Sequence, residues 1–442
     1  MAPNRLVNRY KVRCVTEDRD VFVWGTNVRP TVCPNVASHT IDTELTEITD
    51  SILERENKIT NLPLTPFDRM LTSEETVMIE LKPGLGVSKL RDTTFTEGDA
   101  AVTCEIGAAE YTLSTSGPSA VAMIRSAERG RYVAGMAAEV GIGGHLMAPL
   151  GPGQSLKFGL FDDMNGYYFE ILYWELFVVV LKDGVETRVN RTDFNIDTMD
   201  GDGASKITLD PFRGYIWMIR FSWYGYGIVE FAIAAEDPFK EQHIYPMHRY
   251  YSKVRASVST PNLPITAKLE SSPDCAPGAV GGAHITGRKY SVLGKFTPMI
   301  RSGSAYLIRS FPGGAGTVTP VMSIRRKAGY LSAPVTLDAL EGYSESATVV
   351  IQIRTGMELT GAVWGTVPDA TPGETAVEYD DSATAASGGI VVHQGFARYG
   401  TGASLTDAVG FYLTEWDAVT VLVKGAAAAG TMNIGLRWNE EF

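Results

Sequence analysis

Hydrophobic and polar residues alternate with a period of two along most of this 442-residue chain, the pattern of strands that bury one face. Near the start, residues 10–15 and 21–24 alternate on either side of a polar EDRD run, which predicts a β-hairpin. The proline-bearing TVCPN at 31–35 then breaks the ladder. Residues 42–57, DTELTEITDSILEREN, carry two patterns at once. Leu45, Ile48, Ile52 and Leu53 fall near helical spacing behind a Thr43 N-cap, while ELTEIT alternates as a strand. Both readings stay open.

From about residue 71 the strand signal is nearly continuous. TVMIELK, AVTCEIG, SAVAMIRS, LKFGLF, YYFEILY, LFVVVLK, YIWMIRFSW, IVEFAI and ITAKLE succeed one another, with KDG at 182–184 and YGYG at 224–227 as tight turns. No amphipathic helix separates them, which predicts an all-β chain of sandwich or jelly-roll type and excludes a βαβ fold. Residues 271–287, SSPDCAPGAVGGAHITG, are rich in Gly, Pro and Ala and read as a domain boundary. Strands resume beyond it with KYSVLGKF, SAYLIRSF, ATVVIQIR, AVTVLVK and TMNIGLRW. The predicted organisation is a small N-terminal hairpin segment over 1–70, a central β-sandwich over 71–285 and a C-terminal β domain over 286–442. No internal repeat of fixed period argues for a solenoid or propeller.

Composition narrows the function. With 39 basic and 51 acidic residues the net charge is −12 and no basic patch stands out, so nucleic acid is not the expected partner. Apolar residues at 44% and charged residues at 20% exclude global disorder. The longest apolar run, 176–181, is strand-length, so no membrane insertion by a helix is expected. The opening MAPNRLVNRYKVRC lacks an apolar signal core, which predicts no classical secretion. Gly at 45 and Pro at 22 are scattered as turn punctuation. The four cysteines, Cys14, Cys33, Cys104 and Cys275, form no CxxC or Cys/His spacing; Cys14 and Cys33 read as buried thiols or as a pair across a short hairpin.

Three constellations invite chemistry. Asp197, Asp200 and Asp202 with Gly201 and Gly203 resemble a calcium loop, but their spacing fails the EF-hand and Thr208 stands where its glutamate belongs. Asp200, Asp202 and Asp210 remain an alternative oxygen cage beside the simpler reading of consecutive Asx turns. Asp162 and Asp163 precede Asn165-Gly166 in FDDMNG; paired carboxylates suit a glycosidase, which needs them roughly 5–9.5 Å apart, yet the segment also reads directly as a hairpin turn. Aromatic residues cluster in YIWMIRFSWYGYG. Trp217, Phe221 and Trp223 share a strand face expected in the core, and Tyr224 and Tyr226, with Asp162 and Asp163, are the candidate surface contacts to a glycan. The six histidines are dispersed; Pro246 between His243 and His248 removes a helical ligand pair. SIRRKAG at 323–329 is a small basic spot, read as a solvated turn or an inter-subunit ion pair.

These residues resemble a family. YKVRCVTEDRDVFVWG, TVCPN and the downstream His39-Thr-Ile are similar to an N-terminal module of tailed-phage virion proteins. FGLFDDMNGYYFE, DFNIDTMDGDGASKITLD, WYGYGIVEF and TPNLPI resemble a β-sandwich module of phage and giant-virus particle proteins, with SIRRKA and EYDDSATAASGG as its continuation. Phe194 departs from the tryptophan expected there. The resemblance implies a virion structural protein, made in the host cytoplasm and carried on the particle surface as a head fibre, decoration or tail component. Trp24, Cys33, Pro34 and His39 would belong to a segment that docks onto other virion proteins. A homotrimer or ring is expected, because symmetric assembly covers edge strands. No catalytic residues and no cofactor come with the family, so an enzyme is not expected. The alternative is a lectin-like protein that binds a host surface glycan.

Overall fold

A computed structural model describes residues 5–16, 19–25, 41–54 and 75–441, without 134, 237–241, 253–255, 295–299, 315, 317, 346–347, 369–373, 398, 400–404, 414–417 and 426–428. The chain is all-β. Among the described residues the only helical segments are three-residue 3-10 turns at 83–85, 191–193 and 328–330.

The first compact unit, Met1–Leu64, holds a three-stranded antiparallel sheet. Its strands are β1 (Arg5–Cys14), β2 (Arg19–Gly25) and β3 (Ile41–Glu54), in the order β2-β1-β3. The expected hairpin is present, with Trp24 opposite Arg9. The ambiguous segment is a strand: pairing of Ile48 with Tyr10 and Glu47 with Lys11 selects the two-residue period over the helical one. Cys33, Pro34 and His39 of the expected docking segment, and the side chain of Trp24, lie outside the described residues.

The second unit, Thr65–Phe442, begins with thirteen strands in one sheet. They are β4 (Glu75–Leu81), β5 (Asp92–Glu105), β6 (Glu110–Arg129), β7 (Ala137–Leu146), β8 (Gln154–Phe161), β9 (Gly166–Leu172) and β10 (Glu175–Lys182). They continue with β11 (Val185–Asn190), β12 (Tyr215–Phe221), β13 (Val229–Glu236), β14 (Gln242–Tyr250), β15 (Pro264–Ser271) and β16 (Val280–Leu293). The main path runs β11-β10-β9-β8-β15-β6-β16-β7-β12-β13-β14, with β5 beside β6 and β4 beside β16. Although β8 and β12 are far apart in that order, the Phe158 and Trp217 rings lie 4.9 Å apart, and Phe169 lies 5.0 Å from Trp217 and 5.4 Å from Phe231. The sheet therefore curls until its two halves face each other across an aromatic core. Edge-to-face pairs of this kind add about 0.5–1.5 kcal/mol each beyond burial. Trp217 and Phe221 are buried there as their alternation predicts, and the Trp217 indole N–H donates to Gly144 O at 3.1 Å. Phe194 is buried too, its ring 5.7 Å from that of His248.

The expected boundary over 271–287 needs correction. Only 272–279 is turn; β16 begins at Val280 and pairs with β6, β7 and β4, so the central sheet runs through 285 to Leu293. Small residues there serve close strand packing: a Cβ at Gly282 would lie 3.0 Å from the Met147 sulfur.

Ten further strands form two sheets around a separate core centred on Trp438, Ile351, Val421 and Leu340. The four-stranded sheet orders β17 (Ile300–Phe311), β26 (Gly430–Glu441), β19 (Val335–Ser344) and β24 (Leu405–Tyr412). The six-stranded sheet orders β21 (Gly365–Thr366), β22 (Val377–Asp380), β18 (Val318–Arg326), β25 (Val419–Lys424), β20 (Val349–Thr360) and β23 (Ala385–Ala397). Within this unit Arg131 bridges to Glu441 at 2.9 Å and Asn262 Nδ2 donates to Ser332 O at 3.3 Å. The basic SIRRKAG spot is not a solvated turn. Arg326 is buried and donates to Leu331 O at 2.6 Å and to Leu413 O, while Arg325 pairs with Glu378 and stacks on Trp364.

Candidate binding groove

Most residues of the sequence motifs are taken up by the backbone they shape. In the β8–β9 turn Asp162 Oδ1 accepts from the N–H of Met164 and Asn165, at 2.9 and 2.8 Å, and Oδ2 pairs with buried Arg129 at 2.9 Å. Asp163 is exposed and its carboxylate lies 3.4 Å from Arg125. Gly159 and Gly166 of the same motif are forced, because a Cβ would lie 2.4 Å from Tyr167 O and 2.1 Å from Phe161 Cβ. Tyr224 and Tyr226 are exposed in the β12–β13 turn. That turn and the Asp162 turn meet through one stretch: Ser257 N–H donates to Gly225 O and Ser259 N–H to Asn165 Oδ1, both at 2.9 Å. The four candidate glycan contacts thus share one end of the central sheet.

The oxygen cage does not form. Asp200 accepts from Asp202 N–H at 3.0 Å, and Asp210 accepts from Phe212 N–H at 3.1 Å beside Arg213. Among the described residues no group of three His, Cys, Asp or Glu side chains is disposed to hold a metal ion. The acid that organises this loop is Asp197, nearly fully buried, which accepts from Met199 N–H at 2.8 Å and Ser205 N–H at 2.6 Å. Gly203 is required beside it, since a Cβ would sit 2.0 Å from Asp197 Oδ1.

A feature the sequence does not announce lies on the face of β7, β12, β13, β14 and β16 that turns away from the aromatic core. Alternation puts Glu139, Gly141, Gly143 and His145 of β7 on that face, opposite the buried Val140 and Ile142. Across the sheet Gly141 pairs with Met218 and Gly143 with Ile216. With no side chain on β7 at Gly141, a groove of about 550 Å³ opens over Gly141, Ile216, Met218, Ala234 and Ile244, while Thr286 covers Gly143, where a Cβ would lie 2.0 Å from its Oγ1. A glycine inside a strand lets a ligand approach the backbone closely. Gln242, Thr286, Lys289 and Ser291 border the groove. A second basin of about 470 Å³ shares Ala234 and Gln242 with it and continues past Thr208, Arg213, Tyr215 and Glu236.

Glu139 closes the first end. The cations beside it are already engaged: Glu230 binds both Arg220 and Arg249, and Lys289 pairs with Glu75. Among the described residues Glu139 has no hydrogen bond or ion pair of its own. Burial, with the Glu75 carboxylate adding to it, pushes its carboxyl above the usual range, outweighing the pull of Arg220 and Lys289. An apolar groove with a few convergent polar groups and a perturbed carboxyl is the ordinary form of a ligand site.

The charged cluster on the other half of the sheet is different. Lys157 lies 3.7, 3.2 and 3.0 Å from Glu170, Glu186 and Glu270, and Arg188 and Lys268 complete the pairing. Burial pushes the Glu270 carboxyl up, but Lys157 and Lys268 override it and hold it at about 2. Every charge there has a partner, so the cluster is a closed network. The sequence also missed a juxtaposition beside the groove: His145 and His284, on neighbouring strands, have ring centroids 5.1 Å apart, and Glu110 pairs with His284 at 3.1 Å. The separation of these residues along the chain hid it.

No family model matches the chain, and no curated protein does. Solved structures similar to it include a β-1,3-glucanase from Mycobacterium marinum, at 10% identity over 49% of this chain and 98% of that one, TM-score 0.35. Arcelin-5, a lectin-like defence protein of Phaseolus vulgaris, aligns at 8% identity over 50% and 99%, TM-score 0.30. Lectin I-B4 of Griffonia simplicifolia aligns at 9% over 49% and 99%, TM-score 0.29. Similarity at this level carries no functional weight.

Proposed function

We propose that this chain is an attachment protein of a viral particle that holds a saccharide in the glycine-floored groove and performs no chemistry on it. The observation that carries the binding reading is Glu139: a part-buried carboxylate with no protein partner among the described residues, at the end of an apolar groove. Such a group is stabilised when a ligand supplies hydrogen-bond donors, and sugar hydroxyls supply them in pairs. Gln242 and Thr286 offer complementary donors and acceptors along the rim, and Met218 and Ile216 meet the apolar C–H face of a sugar ring. The resemblance of the FDDMNG, DGDGAS and TPNLPI motifs to particle proteins supports the viral setting. On a particle many copies act together, which raises avidity by about 10²–10⁴ over a single weak site.

The test is binding of the purified chain to a saccharide array, with Gly141→Leu as the control. A Cβ at Gly141 meets only Ile216 Cγ2, at 3.7 Å, an ordinary contact, so a side chain placed there enters the groove; an unchanged thermal midpoint shows that the variant is folded. Binding by the native chain and a loss of at least about tenfold in the variant, equivalent to about 1.4 kcal/mol, is the expected result. No binding by the native chain, or equal binding by both, overturns the groove as the site. Absence of the chain from purified particles, read by electron microscopy, overturns the viral setting.

A further inference from the structure

The groove leads toward a second feature, whose assignment rests on the saccharide reading of the groove. Arg213, which lines the second basin, directly succeeds Phe212 in the chain. The Phe212 ring lies 6.4 Å from that of Trp174, and Trp174 lies 5.8 Å from Tyr173, both pairs nearly perpendicular. Trp174 is 55% exposed, Tyr173 45% and Phe212 37%. Two unrelated elements therefore bring three large rings together in solvent: the β9–β10 turn and the loop that Asp197 organises.

The backbone is strained to achieve this. Leu172 pairs with Glu175, so Tyr173 and Trp174 form a two-residue hairpin turn, and Tyr173 has φ +58°. Glycine, asparagine or aspartate normally fills such a position. The next hairpin does use Asp183 and Gly184 at φ +50° and +79°. At the β9–β10 turn a bulky aromatic residue occupies the left-handed conformation instead, held by its N–H donating to Gln154 O at 3.1 Å. Strain kept in this way, at a tip that carries exposed rings, points to binding. Trp174 is braced on both sides by near-perpendicular neighbours, which fixes the indole while leaving more than half of it open.

We propose that Tyr173, Trp174 and Phe212 form a stacking ledge for the distal rings of an extended, unbranched saccharide whose other end occupies the groove. A pyranose ring has an apolar C–H face and a polar rim. Aromatic faces take the former, and Asp210, Arg213 and Glu175 stand beside the rings to meet the hydroxyls of the latter. Affinity then grows with chain length, because only a chain of several sugars reaches both places.

The experiment is a length series. The intact chain is titrated with maltose-, cellulose-, laminarin- and chitin-derived oligosaccharides, and with sialylated and bacterial O-antigen repeats, from disaccharide to hexasaccharide. The native chain is expected to gain about tenfold or more in affinity along the series it recognises. Trp174→Ala loses that gain. Tyr173→Gly loses it too while raising the thermal midpoint, because glycine adopts φ +58° without strain. Retention of the full length gain in Trp174→Ala overturns the ledge. If Gly141→Leu weakens every length while Trp174→Ala keeps the gain, the groove stands and only the ledge falls. If the native chain binds no series, both fall.

Discussion

At Glu139 a carboxylate faces two cations that are paired elsewhere, Arg220 with Glu230 and Lys289 with Glu75. Its folded pKa lies above the ordinary 4.5. The folded chain therefore holds this proton more tightly than the unfolded one, and stability rises as pH falls from the raised value toward 4.5. Glu139→Gln removes that dependence. The variant is expected to be as stable as the native chain or more so at neutral pH, to lose the gain near pH ~5, and to bind saccharide more weakly. Urea unfolding at the two pH values, with a binding titration, reads all three; destabilisation at neutral pH would show Glu139 to be a structural acid. Single residues were the hardest level to read from sequence. Asp162, Asp200 and Asp210 stand out in the sequence as acids, yet they bond to main-chain N–H groups a few positions along. Glu139, unremarkable in sequence, is distinguished only by what its neighbours on other strands already hold.

Elements were more legible. Period-two alternation located most strands, and the KDG, FDDMNG and YGYG turns fall between the strands they were expected to join. Local pattern failed where pairing decides. β3 is a strand because β1 offers it a register, and β16 starts inside a stretch whose glycines looked like a linker. The 193–214 loop shows how one element serves the site. Asp197 accepts two main-chain N–H groups in its interior and so fixes the course of the chain toward Phe212 and Arg213. Asp197→Ala leaves both donors unsatisfied, at about 1–3 kcal/mol each. We expect a loss of at least about 2 kcal/mol in chemical denaturation, together with loss of the length-dependent affinity gain. Unchanged stability would mean that the loop is held by something else.

For the molecule as a whole, the sequence supports an all-β chain but not the curling of a thirteen-stranded sheet. That curl arises from contacts such as Phe158 with Trp217, between strands far apart in sheet order. It buries one face in an aromatic core and leaves the other to carry the groove. Arg131, Asn262 and Arg326 tie the central strands to the C-terminal ones or brace the chain beside that seam, which gives the TPNLPI and SIRRKA motifs a structural role. We propose that one saccharide chain lies along the outer face from Glu139 toward Trp174. A crystal structure of the intact chain soaked with the tightest-binding hexasaccharide tests it most directly. Sugar hydroxyls bonded to Glu139 and a ring stacked on Trp174 are the expected result; sugar bound instead at the Asp162–Tyr224 end, with the groove empty, would contradict it.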